Sequence, residues 1–135
     1  MSRQDPRSAH DPHDREHGIA AIVDAYFDGV YSGDAAALSG LFDADAQVYG
    51  EVDGQPYHKS IHAYLDGVAA RKSPKDLGEP FMMKTLAVDR LGNIANVKLL
   101  SPMLGFNYHL YLTLCLLDGQ WRIVNKTFTN LPAGR

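Results

Sequence analysis

The chain has 135 residues, 45% hydrophobic and 21% charged, the balance of one soluble globular domain rather than a disordered, fibrous or two-core protein. Thirteen Lys and Arg against sixteen Asp and Glu give a net charge of −3, which removes the basic surface that nucleic-acid binding requires. The one cysteine, Cys115, excludes an internal disulfide, and no run reaches the eighteen or so apolar residues of a membrane span.

The segment from Met1 to Glu16 is too polar for a signal peptide, so a cytoplasmic location is expected, with residues 1–11 a flexible tail. Asp11 before Pro12, with Asp14 following, reads as the start of a helix. Ile19, Ile22, Val23, Tyr26, Phe27, Val30 and Tyr31 recur at helical spacing and form one apolar stripe, ended by Gly33. Asp34 caps a second, shorter helix whose apolar face is Leu38, Leu41 and Phe42. Gln47 to Val52 has strand composition, and Asp53-Gly54 turns it towards a short partner around Pro56 to His58. A third helix presents Ile61, Tyr64, Leu65 and Val68, with Pro74 marking its end.

From Phe81 onward every segment reads as strand: Phe81 to Asp89, Ile94 to Ser101, Asn107 to Leu117, and Gln120 to Thr129. The third of these would span about 36 Å if straight, at about 3.3 Å per residue, so it must bend on a domain this small. Alternation puts Tyr108, Leu110, Leu112, Leu114 and Leu116 on a core face. The opposite face, His109, Tyr111, Thr113, Cys115 and Leu117, is too apolar for open water, so a pocket or a partner subunit must cover it. The layout is α+β: a cone-like fold of a curved antiparallel sheet with three N-terminal-half helices packed on its concave face.

The segment Tyr31-Ser32-Gly33-Asp34, the run Phe42-Asp43-Ala44-Asp45-Ala46-Gln47-Val48-Tyr49-Gly50 and the closing hairpin from Asp118-Gly119-Gln120-Trp121 to Lys126 carry a resemblance over residues 12–130. Together they resemble the nuclear transport factor 2-like superfamily, in particular its putative lumazine-binding group, near the polyketide cyclase-like and ketosteroid isomerase-like branches. The resemblance implies a single domain over residues 12–130 with a short tail at 131–135, and a homodimer paired through its sheet. It does not fix a reaction, because the fold hosts isomerases, cyclases, dehydratases and binding modules.

Aligned to the isomerase pattern, the oxyanion tyrosine falls at Tyr26 and is present. The general base falls at Gly50, and the later acidic residue near Tyr111; neither position holds a carboxylate. Glu51 points away from Gly50 by strand alternation and does not replace the base. Tyr26 and His109 are the remaining catalytic candidates, although an aromatic on an apolar stripe and a histidine in a strand are more often structural. The expected pocket residues are Tyr26, Val48, His109, Tyr111 and Asn125, with Lys126 assigned by default to the surface. His10, His13 and His17 invite a metal, but lack a zincin motif; no metal and no cofactor is expected.

The favoured reading is a dimeric small-molecule-binding domain with an apolar pocket for a small apolar or aromatic ligand. An enzyme of polyketide cyclase-like, dehydratase-like or isomerase-like type, using His109 with Tyr26, is the alternative, and a pure dimerisation module is a third. Neither nucleic acid nor membrane is expected as a partner.

Overall fold

A computed structural model describes residues 12–132, with side chains from residue 18 onward. The expected tail at 1–11 and the side chains of His10, His13 and His17 lie outside the described residues. In chain order the elements are α1 (Pro12–Ser32), α2 (Ala35–Ser39), β1 (Phe42–Val52), β2 (Gln55–Ser60), α3 (Ile61–Ala70), β3 (Lys84–Leu91), β4 (Ile94–Met103), β5 (Phe106–Leu117) and β6 (Gln120–Asn130).

Local chemistry sets the boundaries. Gly33 adopts φ +70, which stops α1, and Asp34 caps α2 by accepting a hydrogen bond from the Ala37 amide at 3.0 Å. Ser60 does the same for α3, accepting from the Ala63 amide at 3.2 Å. Asp53-Gly54 and Asp118-Gly119 both have positive φ at two successive residues, the geometry that tight hairpins need. Phe42, expected on the second helix, instead opens β1, and β3 begins at Lys84 rather than Phe81.

The strands form one curved, unclosed sheet in the order β2-β1-β6-β5-β4-β3. Every neighbouring pair is antiparallel except β1 and β6, which run parallel, so the sheet is mixed at its middle. Ile19, Val23, Tyr26, Phe27 and Val30 of α1 pack with Ile61, Tyr64, Leu65 and Val68 of α3 over the inner face, where Val48, Val97, Leu99, Leu112, Leu114 and Ile123 are fully buried. No helix among the described residues is long and apolar enough to cross a membrane.

One irregularity matters for everything that follows. Thr113 pairs with Asn125 but Leu114 pairs with Ile123, so Val124 is an extra residue in β6. Trp121 and Ile123 point inward before this bulge; Lys126 and Phe128 take the inner phase after it. A one-residue slip in a period of two exchanges the faces.

Candidate functional site

The sheet and two helices flank a cavity of about 90 Å³ that opens to solvent on one side. α1 contributes Tyr26 and α3 contributes Tyr64, both buried. Arg71, the first residue beyond α3, has an extended backbone (φ −95, ψ 159) and also lines the cavity. β4 supplies Ser101 and Met103, β5 supplies Tyr108 and Leu110, and the hairpin of β1 and β2 supplies Val52 and Tyr57. The half-buried Tyr57, Tyr108 and Phe128 meet edge to face, with ring centroids 5.1 and 5.8 Å from that of Phe128.

Lys126 is the unexpected member. It is 5% exposed, and its Nζ donates a hydrogen bond to the Tyr64 hydroxyl at 2.9 Å. The ammonium lies 4.4 Å from the centroid of Tyr64, 5.3 Å from that of Phe128 and 5.5 Å from that of Tyr26. Three ring faces and a phenol oxygen compensate part of the several kcal/mol that burying an ammonium costs. Burial opposes the charge, but the Tyr26 and Tyr64 oxygens outweigh it and hold the ammonium above the ordinary lysine range. Burial pushes the Tyr26 phenol up to about 12 against the pull of Lys126. At Tyr64 burial acts in the same sense, yet the ammonium prevails and the phenol sits below the usual tyrosine value. Near neutral pH the cluster is therefore a cation among neutral phenols.

Among the described residues no carboxylate lines the cavity to balance that charge. Asp53, whose field reaches Tyr108, accepts from Asn130 Nδ2 at 2.7 Å, and the Asp53 amide donates to Asn130 Oδ1 at 2.9 Å. Among the described residues three buried side-chain polar atoms have no partner: Arg71 Nη2 and Ser101 Oγ lie in this lining, and Trp121 Nε1 lies outside it. The lining thus holds two cations, four phenols and a hydroxyl, but no histidine or acid able to take a proton near neutral pH. Two cations and a hydroxyl so placed can receive the oxygens of an anion.

The residues expected from the sequence divide between two faces. Tyr26 lines the cavity. Val48 is fully buried in the core beside it and does not line it. His109 and Tyr111 lie on the outer face of the sheet, along a groove shared with Leu86, Lys98, Thr127, Thr129 and Leu131. His109 accepts from Asn107 Nδ2 at 3.4 Å. Asn125 is on that outer side too, donating to Thr127 Oγ1 at 2.9 Å, because the Val124 bulge turns it out and Lys126 in. His109 and Tyr26 are therefore on opposite sides of the sheet, and the largely aromatic and aliphatic lining around Tyr26 also carries the two cations Lys126 and Arg71. Gly50 lacks a side chain for a steric reason: a Cβ there would lie 2.5 Å from the Phe128 ring and 2.6 Å from its carbonyl oxygen. Cys115 is half-buried on the outer strand face and Trp121 is buried in the core. Among the described residues no group of three His, Cys, Asp or Glu is placed to hold a metal ion.

Sequence reasoning missed Lys126, Arg71, Tyr64 and Ser101. A signal for Lys126 did exist: Lys126 and Phe128 share a face, and an aromatic on that face argues for an inward phase. Only the bulge reconciles it with Trp121 and Ile123.

Comparison with known proteins follows the fold. A family described as "Putative lumazine-binding" matches residues 14–129. A nuclear transport factor 2-like protein of unknown function from Methylobacillus flagellatus superposes with a TM-score of 0.79 at 24% identity, covering 92% of this chain and 98% of its own. A similar protein of unknown function from Silicibacter pomeroyi gives 0.77 at 23% identity, covering 90% and 100%. A putative Ca/calmodulin-dependent kinase II association domain from Exiguobacterium sibiricum gives 0.67 at 12% identity, covering 93% and 99%. No curated protein matches the chain. At these identities the structural likeness establishes the fold and no activity.

Proposed function

The chain belongs to the putative lumazine-binding family of nuclear transport factor 2-like proteins, and on that premise we propose that it is a small-molecule-binding domain whose ligand occupies the cavity between α1, α3 and the sheet. The observation that carries this reading is a cavity whose wall holds buried polar atoms without partners, Ser101 Oγ and Arg71 Nη2. Buried polar groups are nearly always satisfied, so such atoms mark a place where another molecule completes the set. The volume of about 90 Å³ exceeds the roughly 10–15 Å³ that one water needs, yet falls below the roughly 300 Å³ where drug-sized sites begin. That favours a ligand of a handful of heavy atoms over a fused bicyclic ring such as lumazine.

The methyl group of Met103, which lines the cavity, is a built-in reporter. Screening small acids, amides and alcohols together with lumazine, by methyl NMR on methionine-labelled protein, is expected to shift the Met103 signal for some of the small compounds. A panel that leaves it unmoved would overturn the reading, and a shift by lumazine alone would overturn the size argument.

The same reading includes a homodimer joined through the outer sheet face. Tyr111 is 47% exposed there, along the groove with Leu86 and Leu131, and Tyr49 on β1 is exposed to the same extent. Such a surface supports self-association, since a two-fold contact covers the same patch on both copies.

A further inference from the structure

The geometry points to an organic anion as the ligand of this pocket: a small carboxylate whose oxygens are received by the Lys126 ammonium with the Arg71 guanidinium and the Ser101 hydroxyl. This rests on the reading that the cavity is a ligand site, and it names the ligand's charge.

Three independent features carry it. The first is charge balance. Lys126 is 95% buried and Arg71 Nη2 is buried, while no acidic side chain lines the cavity and Asp53 is engaged by Asn130. Buried cations in folded proteins are almost always paired, and no described residue supplies the counter-charge here, which leaves that place to a ligand. The second is donor capacity. The Lys126 ammonium has three protons; the Tyr64 oxygen takes one at 2.9 Å and the Tyr26 oxygen draws on another, which leaves one for a ligand. Ser101 is 2% exposed with its Oγ unpartnered, and Arg71 Nη2 has no acceptor. All three offer hydrogens to an oxygen ligand, and two of them cannot accept any. The third is shape. Tyr57, Tyr108 and Phe128 surround the cavity with ring surface, which suits a short hydrocarbon or small ring attached to the anionic group.

Charge alone would also admit an inorganic anion. The aromatic walls distinguish the two, because phosphate or chloride gains nothing from apolar surface. The absence of a histidine or carboxylate from the lining makes the site a receptor for an anion that arrives already formed.

The test is isothermal calorimetry on the full chain with matched pairs: propionate beside propionamide, crotonate beside crotonamide, and benzoate beside benzamide. The expected result is that at least one acid binds ten-fold or more tighter than its amide and shifts the Met103 methyl signal. Phosphate at the same concentration should not displace it. Lys126→Met should abolish the preference for the acid. Because that substitution alters a buried site, Arg71→Gln, at a half-buried residue, provides a second variant; it should weaken the acid several-fold more than the amide. Equal or tighter binding of the amides with a Met103 shift would overturn the anion claim while leaving the pocket a ligand site. No shift with any acid or amide would overturn the anion claim and count against the site itself. Phosphate competing as well as benzoate would overturn the organic part of the proposal.

Discussion

Gly50 shows how one position decides what chemistry the scaffold can host. Its missing side chain leaves the volume that the Phe128 ring and carbonyl occupy, at 2.5 and 2.6 Å from where a Cβ would stand. Gly50→Ala should therefore destabilise by roughly 1–3 kcal/mol through forced displacement of β6, read as a lower urea midpoint. Gly50→Asp should cost more, and should not create an isomerase-type base, because Phe128 already fills the required space. The Tyr26 phenol gives a second prediction. The native chain keeps its proton up to about pH 12, while an unfolded tyrosine loses it near 10. The stability this contributes is intact below pH 10 and is lost as pH rises from 10 through about 12, by roughly 2–3 kcal/mol at most. Lys126, held above its ordinary value, acts in the same direction; Tyr64, held below, opposes it on the approach to pH 10. Urea midpoints measured at pH 8, 10 and 11.5 should fall less steeply for Tyr26→Phe than for the natural chain.

At the scale of elements, the sequence was most legible where local chemistry acts alone. Asp34, Ser60 and the two Asp-Gly turns satisfy backbone groups or permit positive φ by themselves, and each boundary lies where those residues stand. Removing one cap tests this: Ser60→Ala should cost about 1 kcal/mol, seen as a drop in thermal midpoint without loss of the fold. The candidate site was less legible because it depends on the Val124 bulge, which arises from how β6 accommodates β1 and β5 together. Strict alternation from Trp121 carries Asn125 inward and Lys126 outward, opposite to the observed faces. Arg71 was hidden for another reason: its direction depends on α3 ending at Ala70, four residues before Pro74, which marks the segment's end. Tyr26 alone was readable, since a helical stripe needs only its own period.

For the molecule as a whole, the two faces of β5 divide the work. Leu110, Leu112 and Leu114 build the core against the helices, while His109, Tyr111 and Leu117 face outward. A dimer through this outer surface predicts twice the monomer mass by sedimentation at micromolar concentration. Tyr111→Glu would place like charges opposite each other across a two-fold contact and should shift the population to monomer, with ligand binding in the inner cavity retained. A monomeric natural chain at that concentration would refute the dimer. Stable interfaces of standard size cover about 800 Å² per partner, an extent that a sheet face of six strands can supply.

The parallel pairing of β1 with β6 also sets an order of events during synthesis. β1 is made early, yet its neighbour is the last strand, and the contacts that join them span some eighty residues: Phe42 pairs with Ile123 and Gly50 with Phe128. On the ribosome, the β1–β2 hairpin and α3 must wait without their central support until β6 has emerged from the exit tunnel. Such distant pairings slow folding, because the loop must close before any contact rewards it. Lys126 arrives on that same strand, so the step that joins the β1–β2 hairpin to the β3–β4–β5 strands also brings in the pocket's ammonium.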